Sequence, residues 1–148
     1  MEKVKIKKIN PNAKIPARAT EGSAGADLYA VCETESVEIE PHETMLIHTG
    51  LAFEIPDGYV GLVFARSSLG TKRGLAPANK VGVIDSDYRG EVMVSLHNHT
   101  NTVQQIENGE RIAQMVIVPF LKAGFVLSDE LDETDRGAGG FGSSGKKC

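Results

Sequence analysis

Short stretches in which apolar and polar residues alternate recur along most of the chain, and this pattern is typical of half-buried β-strands. Near the N-terminus, Val4 and Ile6 are separated by a lysine, and residues 37–40 (VEIE) alternate again. Residues 110–120 (ERIAQMVIVPF) are long enough for a helix, but the β-branched run that ends at Pro119 favours a strand. The pattern therefore predicts many short strands.

Turn sequences between apolar stretches predict two β-hairpins. Residues 44–56 (TMLIHTGLAFEIP) end at a Pro-Asp-Gly turn and residues 59–65 (YVGLVFA) follow at once, so we predict that these segments pair. Residues 80–85 and 91–100 flank the turn sequence SDYRG and predict a second hairpin. A helix is expected only at residues 67–74 (SSLGTKRG), and it is short.

Strands of this number and spacing, separated by Gly and Pro turns, predict a compact all-β barrel or sandwich with at most one short helix. Residues 128–135 (SDELDETD) are acidic and poor in apolar residues, which indicates a solvated hinge. We therefore predict a β-rich domain at residues 1–127, followed at residues 128–148 by the acidic hinge and a glycine-rich C-terminal arm. A length of 148 residues suits this single-domain arrangement.

The composition narrows the classes of partner. Hydrophobic residues make up 41% and charged residues 24% of the chain, as in ordinary soluble proteins. The net charge of -4 argues against a general nucleic-acid or anionic-membrane binder. Cys32 and Cys148 are too few for a disulfide framework, and no stretch is apolar enough for a signal or a membrane span. We expect a cytoplasmic protein that binds neither nucleic acid nor membrane.

One aspartate and one tyrosine near the second predicted turn are candidate functional residues. Asp85 directly follows the run V-G-V-I, so its carboxylate is expected at the end of a buried strand, beside apolar walls. A general base that activates water requires such a place. The alternative is a turn carboxylate bonded to its own backbone. Tyr88 either closes the hairpin or offers a flat face to a ligand.

Other polar residues interrupt or follow apolar stretches. Arg66, Ser67 and Ser68 begin the helical stretch, where serine usually caps the helix but can also form an anion site with the arginine. Asp27 lies among small residues (AGADLYA), either as a loop carboxylate or beside a ligand. Gln114 interrupts an apolar strand, and a backbone hydrogen bond is the commoner reason for such an amide.

Two further features leave alternatives open. His97 and His99 are two residues apart on one strand, but no third ligand stands at a suggestive spacing, so we interpret them as surface residues. The C-terminal stretch RGAGGFGSSGKKC is either a disordered tail or a lid. As a lid, its backbone N–H groups, hydroxyls and arginine would wrap an anion while the phenyl ring covers a flat group.

The order of five stretches is more specific than any one of them. AGADLYA, ARSSLG, GVIDSDYRGEV, ERIAQMVIVP and RGAGGFGSSG lie between about residues 24 and 145. In this order they resemble the five motifs of the trimeric deoxyuridine triphosphate nucleotidohydrolases (dUTPases). The resemblance implies a distorted jelly-roll or β-clip-like subunit, a homotrimer with shared active sites, and Mg²⁺ on the triphosphate. The implied reaction is hydrolysis of dUTP to dUMP and pyrophosphate, which limits uracil in DNA and supplies dUMP for thymidylate synthesis.

The resemblance also implies roles for individual residues. Asp85 would activate the attacking water, and Tyr88 would pack under the deoxyribose where a 2′-hydroxyl would collide. Asp27 would bind a water of the Mg²⁺ shell rather than the metal itself. The remaining substrate-binding residues would be Arg66, Ser67, Ser68, Gly70 and Gln114 at the phosphates, Asn79, Gly82 and Met93 at the uracil, and Arg136, Phe141, Gly142, Ser143 and Ser144 in the C-terminal arm.

Two other functions fit the same motifs less well. A dCTP deaminase-like trimer is homologous and has similar motifs, but the SDY turn and the RGAGGFG stretch favour the dUTP enzyme. A non-catalytic nucleotide-binding regulator would not need Asp85, Arg136 and Phe141, all of which are present. A histidine-dependent zinc protein is a more distant alternative.

Overall fold

The computed structural model describes residues 3–140, and within this range nearly all of the regular secondary structure is β-strand. The elements, in chain order, are β1 (Lys5–Lys8), β2 (Ala26–Tyr29), β3 (Ser36–Ile39), β4 (Thr44–His48), β5 (Leu51–Glu54), β6 (Tyr59–Phe64), α1 (Ser67–Lys72), β7 (Leu75–Pro77), β8 (Gly82–Ile84), β9 (Met93–Asn98), β10 (Gln104–Glu107) and β11 (Arg111–Pro119). The prediction of an all-β fold with one short helix is confirmed.

The strands form four small antiparallel sheets. The largest has the order β2-β11-β6-β8 and the next β4-β9-β7, while β1 pairs with β5 and β3 with β10. Leu28, Val63 and Met115 of the largest sheet point inward and are buried, as are Val94 and Leu96 of the second. Each fully buried side chain of this size contributes about 1.5–3 kcal/mol relative to an exposed one. The core between the sheets therefore holds the strands in place.

Neither predicted hairpin forms. Strand β5 pairs with β1 rather than with β6, and β8 pairs with β6 rather than with β9. The turns exist, since the N–H of Tyr59 donates to the carbonyl of Pro56 at 3.2 Å. After each turn, however, the chain crosses to another sheet. A turn with apolar flanks fixes where a strand ends but not which strand the next one pairs with.

The predicted single stretch at residues 44–56 is also divided. Gly50 has φ of +67° and separates β4 from β5. A left-handed backbone of this kind suits glycine because it has no Cβ. The break lets β4 join the sheet of β9 while β5 joins β1.

The segment that follows β11 is exposed as far as residue 138. Residues 121–138 are all exposed, and the side chain of Phe125 is 100% exposed. Such apolar exposure is unusual for a finished surface and is typical of an interaction site. The division into a domain at residues 1–127 and a hinge with an arm at 128–148 stays a prediction. None of the helices within residues 3–140 has the length and apolar character needed to span a membrane.

Candidate active site

Three strands bring polar and apolar side chains into one shallow depression. In the register of the largest sheet, Gln114 of β11 pairs with Asp27 of β2 on one side and with Phe64 of β6 on the other. These positions lie on the face turned away from the core, since Leu28 and Val63 next to them are buried. The depression measures about 390 Å³ and is also lined by Arg66, Ser67, Gly25 and Val116.

Asp27 is the centre of an ion-pair network at this depression. Arg66 donates from Nε to Asp27 Oδ1 at 2.8 Å, and Arg111 donates from Nη1 to Asp27 Oδ2 at 3.3 Å. Asp27 is only 8% exposed, so its charge requires these partners. Arg66 also donates from Nη1 to Ser68 Oγ at 3.2 Å. Two guanidinium groups around one carboxylate leave a net positive charge, which suits an anionic ligand.

Arg111 is a member of this network that the sequence did not reveal. Arg111 and Gln114 are three residues apart, and in a regular strand they would point to opposite faces. A β-bulge between Arg111 and Ala113 shifts the register, so that Arg111 pairs with Tyr29 and shares the face of Gln114. Spacing along the strand was therefore misleading here, since the bulge has no clear sequence signal.

Gln114 is held by its own hydrogen bond to the backbone. Its Nε2 donates to the carbonyl of Ala65 at 3.0 Å, as the structural interpretation of this amide predicted. A Cβ at Gly25 would overlap with Oε1 of Gln114 and would lie 3.2 Å from its Cδ. The absence of a side chain at Gly25 thus allows the amide to lie in the depression while it braces the start of the helix.

The serines of α1 do not cap it. The N-cap residue is Arg66, in an extended conformation and without a side-chain capping bond, so the interpretation of serine as the cap is wrong. Ser67 and Ser68 lie inside the first turn, and of the two only Ser67 lines the depression. At Gly70 a Cβ would meet other atoms only at 3.8–4.0 Å, so packing does not require glycine there.

The turn after β8 carries Asp85 and Tyr88 on the surface of the single chain. Asp85 is exposed, and β8 is the edge strand of its sheet with Val83 62% exposed. The expectation of a buried strand with apolar walls around Asp85 is therefore wrong for one chain. The N–H of Tyr88 donates to the carbonyl of Asp85 at 3.2 Å, and the Tyr88 hydroxyl donates to the carbonyl of Glu91 at 2.9 Å.

Asp85 and Arg66 lie at opposite ends of the same sheet. Asp85 follows Ile84, which pairs with Gly61 at the beginning of β6, whereas Arg66 follows the end of β6. At about 3.3 Å per residue the two positions are separated by roughly 20 Å along the strand direction. The chain thus brings Asp27, Arg66, Ser67 and Gln114 together but leaves Asp85 and Tyr88 apart from them.

The three candidates for base recognition are only partly grouped. Asn79 lies in the turn after β7, and its Nδ2 is 3.7 Å from the place of a Cβ on Gly82. A Cβ at Gly82 would also lie 3.2 Å from Cβ of Val63, so a side chain there would crowd the sheet. Met93 begins β9 in the second sheet and is half-buried.

A family model described as dUTPase matches residues 11–145. This chain belongs to the dUTPase family. A deoxyuridine 5′-triphosphate nucleotidohydrolase of Hahella chejuensis is 51% identical over 146 residues, which cover 98% of this chain and 95% of the relative. A protein of the same name from Nautilia profundicola is 51% identical over 144 residues, 97% of this chain and 99% of the relative.

Solved dUTPase structures have the same fold. A point mutant of the Staphylococcus bacteriophage 80alpha dUTPase, with dUpNHpp, gives a TM-score of 0.89 at 31% identity, over 98% of this chain and 99% of that one. A point mutant of the dUTPase from phage phi11 of S. aureus, described with a structural Mg(II) ion, gives 0.80 at 26% identity, over 89% and 100%. The predicted dUTPase-like, jelly-roll-like fold class is confirmed.

The dUTPase motif at the C-terminus is only partly within the described residues. Arg136 lies in an exposed turn and donates from Nε to the carbonyl of Gly139 at 2.8 Å. Phe141, Gly142, Ser143 and Ser144 lie outside the described residues 3–140. The roles assigned to these five residues stay predictions.

Two of the histidines outside the dUTPase motifs form a ring pair. The centroids of His97 and His99 are 4.4 Å apart, and Nδ1 of His97 is bonded to Oγ1 of Thr44 at 2.9 Å. Desolvation, together with the charges of His97, Lys80 and His42, lowers the pKa of His99. Over residues 3–140 no group of three His, Cys, Asp or Glu side chains is arranged to hold a metal ion.

Proposed function

We propose that this member of the dUTPase family hydrolyses dUTP to dUMP and pyrophosphate. The observation that supports it best is the cationic depression in which Asp27 holds Arg66 beside Ser67 and Gln114. The relatives named above are dUTP nucleotidohydrolases, and one solved dUTPase is described with dUpNHpp. Because the proposed substrate belongs to the deoxynucleotide pool, we also propose that the protein is cytoplasmic.

The depression provides what a triphosphate requires. The guanidinium group of Arg66 is oriented by Asp27 and Ser68 before any ligand arrives, which lowers the entropic cost of binding. Ser67 and Ser68 offer hydroxyl donors around it and Gln114 offers its second amide N–H, while Gly70 lies in the same helix with its own N–H bonded to the carbonyl of Arg66 at 2.9 Å. We assign these residues to the phosphates, and we add Arg111 as a partner that fixes Asp27.

Magnesium fits this donor set only as an ion carried by the substrate. Mg²⁺ keeps several waters and is usually bound through phosphates and one or two carboxylates. Asp27 uses both carboxylate oxygens for guanidinium groups, but each oxygen has a second lone pair that can accept from a water. Asp27 would therefore hold a water of the ion's shell, and the ion would neutralise charge on the triphosphate.

Asp85 and Tyr88 provide the hydrolytic part of the proposed mechanism. An in-line attack on a phosphoryl group needs a positioned water and a base, and Asp85 would take the proton of that water. The ring of Tyr88, held by its bond to the Glu91 carbonyl, would close the space that a 2′-hydroxyl needs. Asn79, Gly82 and Met93 would read the uracil next to this turn.

The separation within the chain supports a site that is shared between copies. A single chain places Asp85 roughly 20 Å from Arg66 along the strand direction, so the two side chains do not form one compact site. The outer face of the largest sheet carries Leu62, Phe64, Val83 and Val116, and the arm exposes Phe125. We therefore propose the homotrimer typical of the family, in which apolar faces are covered and sites are completed by neighbours. The C-terminal arm with Arg136, Phe141, Gly142, Ser143 and Ser144 would close over the nucleotide.

The alternatives receive less support. The relatives reported above are named for dUTP hydrolysis, so a dCTP deaminase-like activity is not favoured. Phage 80alpha dUTPases are described as controlling the transfer of virulence genes. No observation on residues 3–140 of this chain favours such a regulatory role over catalysis.

The test is pyrophosphate release from dUTP, dCTP, dTTP and UTP, each with Mg²⁺ and with EDTA. Rapid, Mg²⁺-dependent release from dUTP alone is the expected result, because it requires both the uracil site and the Tyr88 filter. Ammonia release from dCTP would instead identify a deaminase. Binding of dUTP without turnover would identify a regulator and would overturn the proposed hydrolysis.

A further inference from the structure

Glu91 follows the turn that carries Asp85 and Tyr88. Its carboxylate is bonded to the junction between β4 and β5. Its Oε1 accepts from the N–H of Gly50 at 2.7 Å, and its Oε2 is bonded to Nδ1 of His48 at 2.9 Å. The side chain of Glu91 is 18% exposed. Hydrogen bonds to an ionised carboxylate are about twice as strong as neutral ones, so this is a firm anchor.

The segment that receives Glu91 is itself tightly packed. A Cβ at Gly50 would lie 2.8 Å from Cβ of Asn10 and 2.9 Å from Cβ of Ala13, which shows how closely the N-terminal segment approaches. The N–H of Val92 donates to the carbonyl of Leu51 at 2.8 Å beside it. The backbone at Glu91 and Val92 is thus fixed to the junction of β4 and β5.

The other end of this connection is Tyr88. Its hydroxyl donates to the backbone carbonyl of Glu91 at 2.9 Å, and its ring lies over Gly90, where a Cβ would be 2.9 Å from Cε2 of the ring. Tyr88 is otherwise 42% exposed. Because the ring is open to solvent, its position depends on the place of the carbonyl that its hydroxyl binds.

We propose that Glu91 is a positioning residue that sets the selectivity of the site for deoxyribose over ribose. Its carboxylate fixes the backbone carbonyl to which Tyr88 is tethered, and through it the ring that excludes a 2′-hydroxyl. This inference rests on the proposed function, in which Tyr88 packs under the sugar. A steric filter works only if the 2′-hydroxyl cannot displace the Tyr88 ring. The Glu91 carboxylate prevents this displacement.

The test compares kcat and KM for dUTP and UTP in Glu91→Ala, Glu91→Gln, Tyr88→Phe and the Glu91→Ala/Tyr88→Phe double variant. We expect Glu91→Ala to lower the dUTP/UTP selectivity by roughly 10- to 100-fold, since displacements of up to 1 Å have effects of this size. Glu91→Gln should lose less, because its amide oxygen can still accept from Gly50. In the Tyr88→Phe background the Glu91→Ala change should add less than it does alone, because the tether is already broken.

The matched control is Glu54→Ala, which removes an exposed carboxylate that pairs with Lys5 at 2.8 Å. It should leave the selectivity unchanged. An equal loss of kcat/KM on both substrates in Glu91→Ala, or fully additive effects in the double variant, would mean that Glu91 is only structural. If Glu91→Ala does not fold, Glu91→Gln and His48→Ala replace it, and unchanged selectivity in both overturns the proposal.

A second readout does not depend on activity. The N–H groups of Tyr88 and Val92 are hydrogen-bonded, to the carbonyls of Asp85 and Leu51, so their hydrogen exchange reports on the tether. Faster exchange of both in Glu91→Ala supports the proposal, and unchanged exchange overturns it. The wild-type protein could fail to hydrolyse dUTP while this exchange still responds to Glu91→Ala. That result would overturn the proposed function but would support the connection between Glu91 and Tyr88.

Discussion

Asp27 would contribute to the proposed phosphate site without touching the phosphates. Its two oxygens bind Arg66 and Arg111, which fixes the direction in which the Arg66 guanidinium points. Removal of one partner from such a buried pair is costly because it leaves an uncompensated charge. In this structure the aspartate acts as an orienting group for an arginine.

Gly25 is the residue whose replacement tests the depression most directly. In Gly25→Ala the new Cβ would overlap with Oε1 of Gln114 and displace the amide from the carbonyl of Ala65. We expect the KM for dUTP to rise by roughly tenfold, with a smaller change in kcat, since the proposed role of the amide is to bind the phosphates. Steady-state kinetics of purified protein measures both.

Gly22→Ala is the matched control for Gly25→Ala. The same turn region carries Gly22, and a Cβ there would meet nothing within 4 Å. Its KM should equal that of the wild type. Equal KM values in the two variants would show that Gln114 does not contribute to substrate binding.

The candidate site was largely predictable at the level of single residues, because each motif joins a charged or amide group to an apolar strand. Asp27, Arg66, Ser67 and Gln114 do share one depression. Arg111 was not predictable, since its face is decided by a bulge. The distance between Asp85 and that depression was equally hidden, because it depends on which strands pair.

At the level of elements, the sequence predicted where several strands lie but not how they pair. Strand β11 was correctly predicted against a helical alternative, because its β-branched run suits a buried strand. Both hairpins were wrong, and β2, β7 and β10 were not predicted as strands. Short strands with few apolar residues are stabilised by their neighbours in the sheet rather than by local preference.

The junction between β4 and β5 gives a prediction for stability. Gly50 and Gly58 both have positive φ, +67° and +79°, so alanine should cost about 1–2 kcal/mol at either position. At Gly50 the Cβ would also press on Asn10 and Ala13, which should add about 1–3 kcal/mol, while at Gly58 it meets nothing within 4 Å.

Urea unfolding at one fixed protein concentration measures this difference, because oligomer stability depends on concentration. Gly50→Ala should have the lower midpoint of the two variants. Equal midpoints would indicate that the N-terminal segment moves aside without cost, and that the junction is less rigid than its packing suggests.

At the scale of the whole molecule, the surface of one chain exposes several large apolar side chains. The outer face of the largest sheet exposes Val83, and the segment after β11 exposes Leu121, Phe125 and Leu127. Exposed apolar groups of this extent, on a chain that separates Asp85 from Arg66, are accounted for together by the proposed trimer. Within one chain they have no common explanation.

The proposed sharing of sites predicts complementation between two inactive variants. Asp85→Asn should lower kcat by about 10²- to 10⁴-fold, as the loss of a general base does, and Arg66→Ala should weaken triphosphate binding. If each site takes Asp85 from one subunit and Arg66 from another, mixed trimers contain intact sites. An equal mixture should then recover about one quarter of the wild-type rate after subunit exchange.

The control for complementation is each variant refolded alone at the same total concentration. Asp87→Asn mixed with Arg66→Ala provides a second control for the neighbouring turn carboxylate. A mixture no more active than the sum of its separate variants would place Asp85 and Arg66 of one chain in one site, and the sharing would be refuted.

The distance between Asp85 and Arg66 also has a consequence for the cell. In the proposed trimer a newly made chain would hydrolyse nothing until it had met two others, so activity per chain should fall on dilution even when substrate is saturating. Where the protein is scarce, halving its amount would reduce the removal of dUTP by more than half. Gene dosage and the rate of nucleotide clearance are then no longer proportional.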